Sequence, residues 1–217
     1  MRLGNGILAI DFDGNTGSVR QITDLATGRR HLNDPRGQRL VKLIVPTPEH
    51  VSRPLYSHEA GPPAMTRTAD GVTISFPELL DNGSGTGIVV TVRVRLPEGA
   101  SEALFSAEIR NESPYRVHEM WFPWLGGRRG RPGKSRDTIT TSLCTVHDIH
   151  SRLAATGEST HTFGHHHLRM SLGPVHLLPM MDYSDGGGGV SYIKYEQRPS
   201  PHTLVFESPL YERAEPC

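Results

Sequence analysis

The sequence predicts an all-β chain, a large antiparallel β-sandwich with little or no helix. Three observations carry that prediction. Short apolar runs recur along the whole chain, each bounded by Gly, Pro, Asn or Asp turn signals. One of them alternates without a break, with Ile88, Val90, Val92, Val94 and Leu96 on one face and Val89, Thr91, Arg93 and Arg95 on the other. That period of two marks a half-buried strand. No segment offers an amphipathic helix of three turns, which argues against a parallel sheet with helical crossovers.

Taken in order, Leu3 to Phe12 reads as a strand, Asp13-Gly14-Asn15-Thr16-Gly17 as a turn, and Ser18 to Asp24 as the returning strand. Ala26-Thr27-Gly28-Arg29 turns again. Asp34-Pro35-Arg36-Gly37 breaks the chain before a buried strand, Leu40 to Val45. Residues 46–63, rich in Pro and His, read as loop with one short strand. Met65 to Thr68 and Val72 to Phe76 flank the hairpin turn Asp70-Gly71. Asp81 to Gly87 is a Gly/Ser turn leading into the Ile88 strand. Leu104 to Asn111 alternates again, setting Leu104, Ser106, Glu108 and Arg110 against Phe105, Ala107 and Ile109.

Arg116 to Gly127 holds both tryptophans. Alternation puts Val117, Glu119, Trp121 and Pro123 on one face and His118, Met120, Phe122 and Trp124 on the other. Large apolar side chains on both faces fit a central strand, which Pro123 ends because it lacks an N–H. Trp121 and Trp124 fall on opposite faces, so they are not expected to line one pocket. Trp121 reads as core, and Trp124, near the strand end, as a contact surface for sugar.

Gly126 to Asp137 reads as a solvated Gly/Arg loop. Thr138 to His147 is a β-rich run, Ser151 to Glu158 one helical turn, and Thr160 to Leu172 a strand pair or one long strand. Leu177 to Tyr183 follows. Val190 to Tyr195 and Thr203 to Glu207 read as the last hairpin.

Among the 217 residues, 23 acidic and 23 basic side chains cancel. That excludes a general phosphate-backbone binder, so no nucleic-acid partner is expected, and it leaves room for a neutral partner such as a carbohydrate. The two cysteines, Cys144 and Cys217, are weak evidence for a disulfide framework, and a reducing compartment is expected. Met1 to Phe12 lacks the charged and apolar regions of a signal peptide. No apolar run approaches the roughly 20 residues of a membrane span. The expectation is a cytoplasmic protein without a membrane partner.

Four stretches together resemble the galactose-mutarotase-like supersandwich. They are Asn5 to Phe12 with Thr16-Gly17-Ser18-Val19 and Asp24-Leu25-Ala26-Thr27-Gly28; Val117 to Gly126 with its Phe-Pro step; Met180-Met181-Asp182-Tyr183; and Gly188-Gly189-Val190-Ser191-Tyr192 with Leu204-Val205-Phe206-Glu207. The order is similar to the N-terminal sandwich domain of bacterial glycoside hydrolases, where the sandwich precedes a (β/α)8 catalytic barrel. The resemblance implies one sandwich domain over residues 1–217, short of its final strands or of a following catalytic domain. In those families the cleaving carboxylates sit on the barrel, so no catalytic residue carries over.

The candidate sugar contacts are Trp124, His166, Asp182 and Tyr183. An aromatic face suits the C–H patch of a pyranose, and Asp with Tyr beside a glycine run makes a polyol rim. His165 and His167 share one strand face and are candidate ligands for a divalent metal, with His147-Asp148-Ile149-His150 as further donors. The spacing is similar to the metal strand of cupins, but Ser171 stands where those have Glu. Otherwise no cofactor is expected. His166 or His176 with Glu207 is a conceivable acid–base pair for a mutarotase.

Three readings follow. The first is a carbohydrate-associated domain or subunit of a glycosidase, non-catalytic alone, with a carbohydrate or glycoside and a catalytic partner chain. The second is a small epimerase or metal-dependent enzyme using the His cluster. The third is an assembly module that pairs through an exposed sheet edge, with a partner chain or as a homo-oligomer.

Overall fold

A computed structural model of the chain describes residues 1–32, 39–48, 52–125, 138–141, 145–147, 165–172, 180–184, 189–193 and 202–209. They form an all-β protein of antiparallel sheets, with the 3-10 turn Ser57–Glu59 as the only helical element among the described residues. Among the described residues no helix is long and apolar enough to cross a membrane. The chain groups into two compact units, Met1–Arg129 and Gly130–Cys217.

The first unit opens with β1 (Arg2–Gly4), β2 (Leu8–Phe12) and β3 (Val19–Asp24), hydrogen-bonded in that order. The single strand expected over Leu3 to Phe12 is in fact a hairpin. Gly6 takes φ +88°, and Asn5 Oδ1 accepts the N–H groups of Ile7 and Leu8 at 3.0 and 2.9 Å. Asn-Gly is the strongest short hairpin signal. The next two turns share one design. Asp13 Oδ1 accepts from Asn15 and Thr16, Asp24 Oδ1 accepts from Ala26 and Thr27, and Gly17 and Gly28 then take positive φ.

A four-stranded sheet runs in the order β11 (Leu104–Asn111), β10 (Ile88–Arg95), β7 (Gly71–Ser75), β6 (Ala64–Arg67). The β10 alternation is borne out: Ile88, Val90, Val92 and Val94 are 0 % exposed, while Arg93 and Arg95 face water. Gly71 does not serve the turn through positive φ. A Cβ there would lie 2.0 Å from the Val94 carbonyl oxygen, so glycine is required by the approach of two backbones. β8 (Leu80–Asp81) and β9 (Ser84–Gly85) pair across Asn82-Gly83, both at positive φ.

A third sheet orders β12 (Glu119–Trp121), β4 (Lys42–Val45) and β5 (Arg53–Tyr56). The tryptophan strand is therefore not central: among the described residues β12 pairs only with β4. One contiguous core takes residues from all three sheets, including Ile10 and Phe12, Leu43 and Leu55, and Ile74 with the inner face of β10. Two buried polar groups tie loops to it. Gln21 exchanges hydrogen bonds with both backbone groups of Leu32. Ser57, fully buried, donates its N–H to the Val41 carbonyl and accepts the Val41 N–H on Oγ. Buried backbone groups need such partners.

In the second unit a four-stranded sheet orders β14 (Thr145–His147), β13 (Thr138–Thr141), β16 (Met180–Ser184) and β17 (Gly189–Ile193). β15 (His165–Leu172) pairs with β18 (His202–Pro209). The expected final hairpin does not form, because β17 pairs with β16 and β18 with β15. Cys144, Cys217, His176, the Gly/Arg loop and the helical turn expected over Ser151 to Glu158 lie outside the described residues.

Candidate functional site

The register of the β12–β4–β5 sheet aligns Trp121, Lys42 and Tyr56 in one row, each directly opposite the next. Side chains opposite each other on neighbouring strands share a face. The next row holds Leu43 and Leu55, both in the core. The Trp121–Lys42–Tyr56 row therefore sits on the side of the sheet turned away from the core.

Trp124 joins this row, against the expectation that the two tryptophans diverge. Alternation holds only while the chain is a strand, and β12 ends at Trp121. The Phe122–Pro123 bond that follows is cis, and Trp124 donates its N–H to the Leu40 carbonyl at 2.8 Å. The two indoles come within 5.9 Å, centroid to centroid, and Trp124 lies 6.1 Å from the Tyr56 ring. Lys42 Nζ stands 3.8 Å above the Trp121 ring and 5.5 Å from that of Trp124. A cation so placed contributes about 0.5–2 kcal/mol. Trp121 Nε1 donates to Glu119 Oε2 at 3.1 Å. All four of Lys42, Tyr56, Trp121 and Trp124 are half-buried.

His58 closes the cluster, 5.3 Å from the Tyr56 ring. Burial, with a smaller effect of the Arg39 charge, lowers its pKa to about 4. The imidazole is neutral at neutral pH, so its 3.7 Å approach to Glu59 is not an ion pair there. His58 Nδ1 is buried without a hydrogen-bond partner among the described residues.

The other candidates lie in the second unit. Asp182 and Tyr183 stand on β16, Asp182 opposite Thr140 and Ser191, Tyr183 opposite Ile139 and Val190. His165, His166 and His167 stand on β15 opposite Pro209, Ser208 and Glu207. Glu207 is therefore the register partner of His167, not of His166. Among the described residues, no three His, Cys, Asp or Glu side chains gather as a metal site.

Lys42, Tyr56, Trp121 and His58 escape the sequence reading as site residues. One trace of them is visible there: Lys42 is one of three lysines in the chain and interrupts the apolar run Leu40 to Val45. A scan against protein-family models matches none, and a search of curated proteins finds no match.

Proposed function

We propose that the chain is a carbohydrate-associated β-sandwich, a domain or subunit of a glycosidase-type enzyme and non-catalytic alone, whose sugar-contacting surface is the cluster of Tyr56, Trp121 and Trp124. The observation that carries this reading is the aromatic row on the sheet face turned away from the core. Aromatic planes there have no core to fill, and they offer a pyranose ring its preferred stacking partner. The Lys42 ammonium, the Glu119 carboxylate and the neutral imidazole of His58 supply hydrogen-bonding groups around them.

The test uses the chain's own fluorophores. Trp121 and Trp124 are its only tryptophans, so indole emission reports on this cluster alone. Titration of the full chain with a panel of methyl glycosides and neutral oligosaccharides is expected to change that emission saturably. Trp124→Ala is expected to weaken binding about tenfold, measured by calorimetry. A flat response across the panel, or an unchanged affinity in the variant, would sink the reading. Turnover of aryl glycosides by the pure chain would overturn its non-catalytic part.

A second reading keeps the histidines. The register that sets His167 opposite Glu207, two residues along the strand from His165, favours a small epimerase or metal-dependent enzyme built on β15 and β18. It expects zinc or nickel in the purified protein, or anomer interconversion in polarimetry. Metal-free protein inactive on a set of aldoses removes it.

A further inference from the structure

The two edges of the four-stranded sheet are treated differently. β6 is four residues long, follows Pro62-Pro63, and its Arg67 donates to the Arg2 carbonyl. Short length, proline and a covering contact are the usual protections of an edge. β11 is neither short nor interrupted by proline. It is eight residues long, contains no Pro or Lys, and keeps an unbroken register with β10 from Leu104 to Asn111. Among the described residues no strand pairs with its outer side.

The open hydrogen-bonding groups can be named. The Val90 and Ile88 carbonyls accept from Phe76 and Leu79, on the side of β10 away from β11. Val89, Thr91 and Arg93 therefore face β11 and bond to Arg110, Glu108 and Ser106. Glu112 N–H to Gly87 O continues the ladder at 2.8 Å. By alternation Phe105, Ala107 and Ile109 direct their N–H and C=O groups out of the sheet edge.

We propose that this edge pairs with the same edge of a second copy of the chain, antiparallel, about a two-fold axis at Ile109. Charge favours a second copy as the occupant and this register over the one centred on Ala107. This register also keeps more of β11 paired than a two-fold at Asn111, which matches Arg110 with the second copy's Glu112 at the strand end. With Ile109 opposite the second copy's Ile109, Glu108 lies opposite the second copy's Arg110, and Arg110 opposite its Glu108. A two-fold at Ala107 sets Glu108 against Ser106 and Arg110 against Leu104, with no charge pair. The Ile109 pair exchanges both backbone hydrogen bonds, so the flanking Glu108–Arg110 pairs are of the non-hydrogen-bonded kind, where side chains come closest. Within one copy Arg93 already bonds Glu108 at 3.0 Å, and Arg110 approaches Glu112 at 3.3 Å. The pairing joins these into a continuous row of alternating charge across the seam, and two four-stranded sheets into one of eight strands.

Sedimentation of the full chain tests this with charge reversals at exposed positions. Wild type is expected to be a dimer. Glu108→Arg and Arg110→Glu each turn both cross-copy pairs into like-charge pairs, and are expected to weaken dimerisation about tenfold or more. Mixing the two variants restores opposite charges in a heterodimer, and the double variant E108R/R110E restores them in a homodimer. Both are expected to sediment as dimers, with circular dichroism confirming folded chains throughout. A monomeric wild type at concentrations on the order of 100 μM, single variants that dimerise as wild type does, or a mixture that stays monomeric would each overturn the proposal.

Discussion

β10 and β12 are both apolar strands of the first unit, and they differ in what flanks them. β10 has a strand on each side and the core under one face, so each second residue is sealed: Ile88, Val90, Val92 and Val94 are all 0 % exposed. β12 is three residues long and pairs only with β4 among the described residues; its Met120 is 39 % exposed although it stands opposite fully buried Leu43. A strand held on both sides spends its apolar residues on stability. A short strand beside one partner leaves them accessible, and it is there that Trp121 and Trp124 meet Lys42. Position in the sheet, more than composition, separates a sealed strand from one that leaves its aromatic side chain half-buried.

The comparison breaks most visibly at Gly71, which lies against β10. A methyl group there meets the Val94 carbonyl at 2.0 Å, and backbone cannot step aside. Gly71→Ala is expected to cost about 3 kcal/mol or more, read as a lowered urea midpoint or failure to fold. Val92→Ala leaves a void in the sealed face of β10 and is expected to cost about 2 kcal/mol in the same measurement. On the β12 side the sensitive variable is pH. His58 in the folded chain has a pKa of about 4, below its ordinary 6.5. The unfolded chain therefore binds the extra proton between those values, and stability falls as pH drops from about 6.5 to about 4. The loss is expected to reach about 2 kcal/mol, and His58→Gln should flatten that part of the stability–pH curve. Met120→Ala is expected to change stability by about 0.5 kcal/mol or less. A large cost there would make β12 a core strand after all and erase the distinction.

Much of the fold is legible because its signals are local. The β10 and β11 alternations, the Asp-x-x-Thr-Gly turns and the one short strand within residues 46–63 all arise within a few residues. Asn5-Gly6 was equally local, but the apolar residues around it read as one strand and masked the hairpin signal. Asp70-Gly71 is legible as a hairpin turn, but the need for glycine at 71 is not, since the carbonyl it accommodates belongs to Val94, distant in sequence. The aromatic cluster was not legible at all beyond Trp124. It depends on register, Trp121 opposite Lys42 and Lys42 opposite Tyr56, and register joins residues that no window of sequence contains. The strand pairings of β15 with β18 and β16 with β17 escaped for the same reason.

Asn5 also has a bearing on the order in which the chain becomes structured. Its carboxamide nitrogen donates to the carbonyls of Pro97 and Ala100, at 2.6 and 2.8 Å. The β1–β2 hairpin is synthesised before the acceptors that fasten its turn, which follow some 90 residues later. Until they emerge, the amino-terminal strands carry open edges and apolar side chains with nothing to close on. Contacts of such long sequence separation slow folding and lengthen exposure to aggregation. Strands made early are thus secured late, and a nascent chain halted before Pro97 would present them unfastened to whatever lies nearby.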